Sequence, residues 1–493
     1  MYKLEQTPEI FKINFFRIFK NHILLFTVNR YIVFSLQVIT GFFIAKALDP
    51  YLFGIWGFLL LIMMYLSFTS FGLQYALTLK LSTELDTDYE EREKTIAVTL
   101  TLTYLIAGLL TLSGLGIQLF DVPLFQKYLF NKYVVYIGAI AGINHCLEVF
   151  KNIYRIYNRL VKIAASELIR VVLIFLVVLT FKGENLISAM LGVIILSGII
   201  NIAIFLIRAP FRITYLFDIK ASKQLIYLGF PLLIYGVCFY LITVSSRTFV
   251  SIFYSAEAMG YYSLAHSISN AALLGMNSIV WVFLPFTLKK TRSDVAIDVV
   301  DRRVKKINDI YGTAVFLSVF TGILMLPLLF SFLPKYKPAE ITLCILLLSQ
   351  AILSVSFGYN SLAIARKKQH QIAKISIFAV AIVVGLCFVV SVFKFQIVWI
   401  AVSVLISMFF FTVLLARLGS SILNLGHVRP GYFESVLPWG TLMALLICLI
   451  SVLLGYTVIG GVLGLIIFCL TNIEKIASLY KFGLQKSEAY NLS

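Results

Sequence analysis

Long apolar runs follow one another from about residue 23 to residue 478 with only short polar connections between them, and this leaves the chain few choices of fold. A helix that crosses a bilayer needs about 20 consecutive, mainly apolar residues, because its backbone hydrogen bonds must close internally across a hydrocarbon core about 30 Å thick. About fourteen such runs are predicted, over 23–47, 54–79, 95–119, 133–157, 163–181, 186–207, 225–250, 258–288, 309–333, 339–363, 372–393, 396–416, 435–455 and 457–478. The chain is 60% hydrophobic and only 13% charged, against about 25% charged in a soluble domain. A soluble fold could not hide that surface. The expected class is all-α, a polytopic membrane protein with almost no soluble part.

The net charge of +18 would point to nucleic acid in a soluble protein. Here it is read as lysine and arginine orienting membrane helices and touching anionic lipid, so the expected partners are membrane lipids and no nucleic acid. Of the 41 basic residues, 31 fall on the N-terminal tail and alternate connections, and only 7 on the connections between them. An even number of spans with both termini cytoplasmic follows from that alternation. The first run is long enough to span and has no small-residue cleavage site after it, so it is expected to be its own insertion signal. Ahead of it, Phe11, Phe15, Phe16 and Phe19 alternate with Lys12, Arg17 and Lys20, which suits an interfacial amphipathic segment over 1–22. The six cysteines lie inside apolar runs without a Cys-x-x-Cys pair, so they read as packing residues and imply neither metal nor disulfide.

Two stretches look alike. Leu52-Phe53-Gly54-Ile55-Trp56 opens the second run and Ala258-Met259-Gly260-Tyr261-Tyr262 opens the eighth, and each run goes on to a Thr-Leu-Lys, at Thr78–Lys80 and Thr287–Lys289. Two halves of six helices share one orientation, which is the parallel-repeat logic of many transporters. The expected organisation is an N-lobe over 23–207, a C-lobe over 225–416, and an appended helix pair with a cytoplasmic tail over 435–493.

The segment from Phe43 to Gly57, Phe-Ile-Ala-Lys-Ala-Leu-Asp-Pro-Tyr-Leu-Phe-Gly-Ile-Trp-Gly, is followed by Ser70-Phe71-Gly72-Leu73-Gln74-Tyr75-Ala76-Leu77. It resembles the helix 1–2 hairpin of the polysaccharide exporter family, the Wzx-type oligosaccharide-lipid flippases, in the superfamily that includes multidrug and toxin extruders. Ser246-Arg247-Thr248-Phe249-Val250 with Met259-Gly260-Tyr261-Tyr262-Ser263-Leu264-Ala265 is similar to the family's helix 7–8 hairpin. Where the family often has Asp before the basic residue, this chain has Ser246. The resemblance implies two six-helix lobes around a central cavity that opens alternately to either side of a bacterial inner membrane. It also implies a cargo, an oligosaccharide on a polyprenyl pyrophosphate, carried from the cytoplasmic to the periplasmic leaflet for O-antigen or capsule.

A charge at the bilayer centre costs about 2.5–3.5 kcal/mol on insertion scales, so each one inside a run is a candidate for function. Arg30 lies about two turns into the first run and Arg247 within a turn of the end of the seventh; each either faces the cavity or snorkels to the headgroups. Facing the cavity, they would be cationic stations for a pyrophosphate, since guanidinium offers a charged, forked donor to phosphate oxygens. Glu167 and Arg170 are three residues apart, on one helix face, as an ion pair or as parts of a site. Lys151, Arg155 and Arg159 recur every four residues as one basic ladder, with Glu148 a turn deeper. The ladder is either a solvated helix end or a vestibule that gathers anionic head groups. Glu148 and Glu167 are the candidates for coupling to a proton or sodium gradient. His145, His266, Asn270, Asn277, Gln350 and Asn360 at helical depth could bond sugar hydroxyls, or equally join two helices.

Two rival functions remain. A cation-coupled drug exporter needs buried carboxylates free to meet a cation, and here arginines outnumber them. A membrane polysaccharide polymerase would carry a sizeable outer loop, but the longest, Phe120–Lys132, has a single acid, Asp121. No phosphate-cradling loop or metal-ligand cluster appears, so no cofactor and no enzyme activity are expected.

Overall fold

The computed structural model describes residues 22–83, 89–122, 124–272, 297–366, 368–423 and 432–478. The described chain is helical, with no strand among the described residues. The elements are α1 (His22–Ala47), α2 (Pro50–Leu66), α3 (Leu73–Thr83), α4 (Tyr89–Leu119), α5 (Phe130–Ile156), α6 (Leu160–Thr180), α7 (Gly183–Leu206) and α8 (Ile219–Phe253). They continue as α9, described over 256–272, then α10 (Ile297–Leu324), α11 (Leu326–Phe332), α12 (Glu340–Ser354), α13 (Phe357–Ala365), α14 (Gln369–Val392) and α15 (Val398–Leu423). A short α16 (Tyr432–Val436) leads to α17 (Trp439–Leu453) and α18 (Thr457–Thr471).

Where its residues are described, every predicted run coincides with helix. Among the described residues eleven helices are long and apolar enough to cross a membrane, and α17 and α18 are shorter, 15 residues each, about 22 Å at 1.5 Å per residue. The segment over 1–22 lies outside the described residues except for its last residue, as do residues 273–296, which include Asn277 and the Thr287–Lys289 end of the eighth run.

Three runs are broken where the periodicity alone predicts continuity. In the run over 54–79, helix gives way to a 3-10 turn at Ser67–Ser70, and Phe71 and Gly72 take left-handed angles (φ 49° and 80°) before α3 begins. A Cβ at Gly72 would sit 2.3 Å from the Gly229 carbonyl oxygen on α8, and one at Gly229 would sit 2.1 Å from that of Gly72. Glycine is required on both sides of this crossing. In the run over 309–333 the break precedes Pro327, which suits the first turn of α11 but cannot continue α10. In the run over 339–363, α12 stops at Ser354 and α13 restarts at Phe357. There Asn308 Oδ1 on α10 accepts the Gly358 backbone N–H at 2.8 Å, satisfying a donor that the new helix start leaves open.

Polar contacts between the connections sort the helix ends onto two faces. On the face that α1 reaches with its C-terminus, here the distal face, Tyr336 joins Leu48, Tyr128 joins Ser251, Tyr254 joins Phe395, Lys132 joins Glu184 and Thr457 joins Glu340. On the N-terminal face Glu93 joins Arg212, Lys94 joins Asp218 and Lys475 joins Asp309. Successive membrane helices therefore alternate in direction.

α1 packs on α6, and α5 lies against α4 and α7. α8 lies on α14, α12 on α15, and the α17–α18 hairpin rests on α10. The two sets meet at α3 with α8, and at α2 with α9. In the second crossing a Cβ on Gly54 would lie 1.8 Å from the Ala256 carbonyl oxygen, and one on Gly260 would lie 1.9 Å from that of Pro50. The contact is reciprocal. Both helices also start alike, with Asp49 Oδ1 accepting the Leu52 amide at 2.8 Å and Ser255 Oγ accepting the Ala258 amide at 3.1 Å.

Candidate functional site

A chain of polar side chains crosses the interior of the first set of helices. It begins on α1, where Asn29 donates to the Ala164 carbonyl on α6 at 3.1 Å and Arg30 Nε lies 3.8 Å from Glu167 Oε2. The Arg30 side chain is 56% exposed and its guanidinium lies over the Phe26 ring at 5.2 Å. One turn along α6, Arg170 donates to Asn144 Oδ1 on α5 at 3.1 Å. Glu167 and Arg170 thus reach away to α1 and α5 and do not form a pair within α6. The one acid and one arginine at i and i+3 on α6 are each drawn to a neighbouring helix because that neighbour supplies the complementary group, Arg30 for Glu167 and the Asn144 carbonyl oxygen for Arg170.

On α5, Glu148 accepts from Lys151 at 3.1 Å and is in electrostatic reach of both Arg170 and Tyr75. His145 lies 3.0 Å from Thr69 Oγ1 and 3.0 Å from the Leu66 carbonyl, so the ring plugs the backbone gap opened by the break between α2 and α3. Beside it a small cavity is lined by Ser70, Gln74, Thr103 and His145 among apolar neighbours. The break in helix and the polar chain therefore occupy one place, and Tyr75 extends it toward α8, where its hydroxyl comes 3.3 Å from where a Cβ on Gly236 would stand.

The basic ladder is shorter than its spacing predicts. Lys151 and Arg155 stand on α5, Arg155 bonded to Asn152 at 2.9 Å. Arg159 does not continue it. The helix ends at Ile156, Asn158 is left-handed (φ 55°), and Arg159 is the residue that precedes α6. A tight turn between antiparallel helices replaces the last rung.

Arg247 lies apart from this chain. It is 8% exposed and donates from Nη2 to the Gly57 carbonyl at 2.7 Å, across the α8–α2 contact. Its Nε has no partner, and neither do the Tyr262 hydroxyl and Ser263 Oγ. The side chain is buried against α2 and not extended to the surface, and the carbonyl of Gly57 itself supplies the acceptor. Of the remaining polar residues, Asn270 joins His266 within α9 at 3.2 Å and accepts from Gln350 on α12 at 2.9 Å, which is helix-joining. All six cysteines are unpaired. Among the described residues no group of three His, Cys, Asp or Glu could hold a metal.

Asn144, Thr69, Ser70, Gln74 and Tyr75 belong to this polar chain; Ser70, Gln74 and Tyr75 stood in the resembling segment, but none of the five was a site candidate from the sequence. Only the helix break and the α5 crossing bring them beside the charges, and neither leaves a mark in the hydropathy.

The profile of the polysaccharide biosynthesis protein family matches residues 18–289, more than half of the chain. The chain belongs to the polysaccharide biosynthesis protein family. The match takes in the whole polar chain, the break between α2 and α3, and Arg247. Solved structures similar to this family member share its fold at low identity. The lipid II flippase MurJ in an inward closed conformation matches over 92% of this chain and 100% of its own, with 14% identity and a TM-score of 0.67. A multidrug resistance MATE family transporter of the MOP superfamily, in an inward-facing conformation, matches over 80% of this chain and 94% of its own, with 12% identity and a TM-score of 0.65. A MOP superfamily transporter from Pyrococcus furiosus matches over 82% and 95%, with 12% identity and a TM-score of 0.54. A search of the curated proteins gave no match. The family member thus has the fold of these MOP-superfamily transporters and of the MurJ flippase.

Proposed function

We propose that this protein is a flippase for a polyprenyl-pyrophosphate-linked oligosaccharide, carrying it from the cytoplasmic to the periplasmic leaflet of a bacterial inner membrane for surface polysaccharide synthesis. The N-terminal face is then cytoplasmic, as the excess of basic residues on it favours. Residues 23–207 and 225–416 act as two lobes that rock about the α2–α9 crossing. The carrying observation is the exposed guanidinium of Arg30 at the head of an intramembrane chain in which Arg30, Lys151 and Arg170 outnumber Glu148 and Glu167.

An anionic pyrophosphate competes with Glu167 for Arg30, because it offers more charge and a better match to the planar donor fork. Lys151, Arg155 and Arg159 would gather the head group at the cytoplasmic end, and Arg247 would meet it only after the α2–α8 contact loosens. Glu167, released from Arg30, is then free to take up a proton or cation, which couples cargo binding to an ion gradient. The rival reading, a cation-coupled drug exporter, draws on the same fold. It is disfavoured because both interior carboxylates already have cationic neighbours.

The test is a liposome assay with a fluorescent polyprenyl-pyrophosphate oligosaccharide, following protection from an external sugar-modifying reagent under proton or sodium gradients. Arg30→Ala is expected to slow translocation about tenfold or more, the equivalent of one charge-assisted hydrogen bond of about 1.5–3 kcal/mol. Arg30→Lys should fall between, keeping charge but losing the fork. Full transport by Arg30→Ala would remove the cationic-station reading, and movement of cationic drugs in place of the lipid would establish the exporter.

A further inference from the structure

The distal face is closed by two contacts that mirror one another. Tyr128 sits in the 3-10 turn Gln126–Tyr128 before α5, and Tyr336 sits in the 3-10 turn Pro334–Ala339 before α12. Both side chains are fully buried, at 0% exposure. The Tyr128 hydroxyl donates to the Ser251 carbonyl at 2.9 Å, near the end of α8. The Tyr336 hydroxyl donates to the Leu48 carbonyl at 3.2 Å, just past the end of α1. Each turn belongs to one half of the chain and each acceptor lies at the C-terminal end of the first helix of the other half. Lys127 adds two bonds to the first contact, donating to the carbonyls of Ile252 and Tyr254 at 3.0 Å each.

These acceptors share a chemical reason for being there. The last carbonyls of a helix have no intrahelical partner and carry its negative dipole end, so a buried hydroxyl or an ammonium is the donor they lack. At an open distal face the same carbonyls would be met by water, so the contact discriminates between the two arrangements. The rings are fixed independently of the bonds: Tyr128 stacks on Phe58 at 4.1 Å, and Tyr336 packs edge-on against Phe53 at 5.7 Å and Tyr261 at 6.3 Å. Both contacts flank the glycine crossing of α2 with α9.

We infer that Tyr128 with Lys127, and Tyr336, are paired latches that hold the distal side shut, and that both must release before the molecule opens on that side. This rests on the alternating-access reading above and adds the groups that set the balance between its two states. Glu340 ties the second latch to the C-terminal hairpin, since it accepts from Thr457 on α18 at 2.8 Å and from Lys337 at 2.6 Å within the latch turn. The hairpin is thereby placed to bias that latch.

The experiment is a distance measurement that needs no cargo. Spin labels are placed on the distal face at Lys182→Cys and Phe393→Cys, both exposed, with Cys238 and Cys469 replaced by Ala because the other four cysteines are buried. In lipid nanodiscs, Tyr128→Phe with Tyr336→Phe is expected to raise a longer-distance population about tenfold over the unmodified chain. Phenylalanine keeps the ring packing. Each single variant should give a smaller gain of the same sign, and decides the question if the double variant does not fold. Tyr133→Phe serves as a control, since its hydroxyl lies 3.3 Å from Glu184 within one half. Identical distance distributions in the double variant and the unmodified chain would overturn the latch. Unchanged distances in the double variant with cargo movement by the unmodified protein sink the latch alone, whereas a shifted distance in the double variant with no cargo movement by the unmodified protein sinks the transport reading and supports the latch.

Discussion

Gly54 and Gly260 show how much can rest on a missing methyl group. Each lies against the backbone of the opposite helix, so a side chain at either position must push α2 and α9 apart. Gly54→Ala is expected to destabilise the protein by about 2–3 kcal/mol through overpacking, seen as a lower midpoint in thermal unfolding followed by tryptophan fluorescence. Gly41→Ala is the contrast. A Cβ there meets nothing within 4 Å, so the variant should match or slightly exceed the parent, by about 0.5–1 kcal/mol from helix preference. The sequence marks both glycines of the crossing, because they stand in look-alike settings. It also marks Arg30, Glu148, Glu167 and Arg170, because charge inside an apolar run is conspicuous. It does not say that Glu167 meets Arg30 or that Arg170 meets Asn144, since those partners lie on helices whose neighbours only packing selects.

At the scale of the element, the breaks carry most of the information. Proline explains the start of α11, but the restart of α13 depends on Asn308 from another helix. Asn308→Ala should cost about 1–2 kcal/mol, the usual value of a lost cap, with faster amide exchange confined to the first turn of α13. The connection between α7 and α8 offers a pH-dependent counterpart. The Lys94 ammonium bonds Asp218 at 2.8 Å and, with the Ala221 amide, holds its carboxyl below the usual aspartate value of 3.8. A depressed carboxyl stabilises the fold at pH above its unfolded value and loses that contribution as pH falls through the folded one. Exchange of the amides around Asp218 should therefore rise below about pH 3.8, and Asp218→Asn should show the raised exchange at neutral pH with no further rise on acidification. The pair is exposed, so the global midpoint should barely move.

For the whole molecule, the alternation of helix direction makes a testable statement about sidedness. Lys223 and Lys394 lie on opposite faces, and a membrane-impermeant thiol reagent applied to intact cells should label Lys394→Cys and reach Lys223→Cys only after the membrane is opened. Labelling of both from outside would break the alternation. The sequence by itself determined the class, the number and order of apolar runs, and their alternating direction, because a bilayer admits only segments that satisfy their own backbone and because basic residues collect on one face. Tertiary structure alone decided where helices break, which interior charges pair, that Arg247 is buried against a glycine carbonyl, and that two tyrosines reach across the distal face. Those features depend on groups brought together from distant positions, and a hydropathy pattern records only whether each residue tolerates lipid or protein, not which neighbour it will meet.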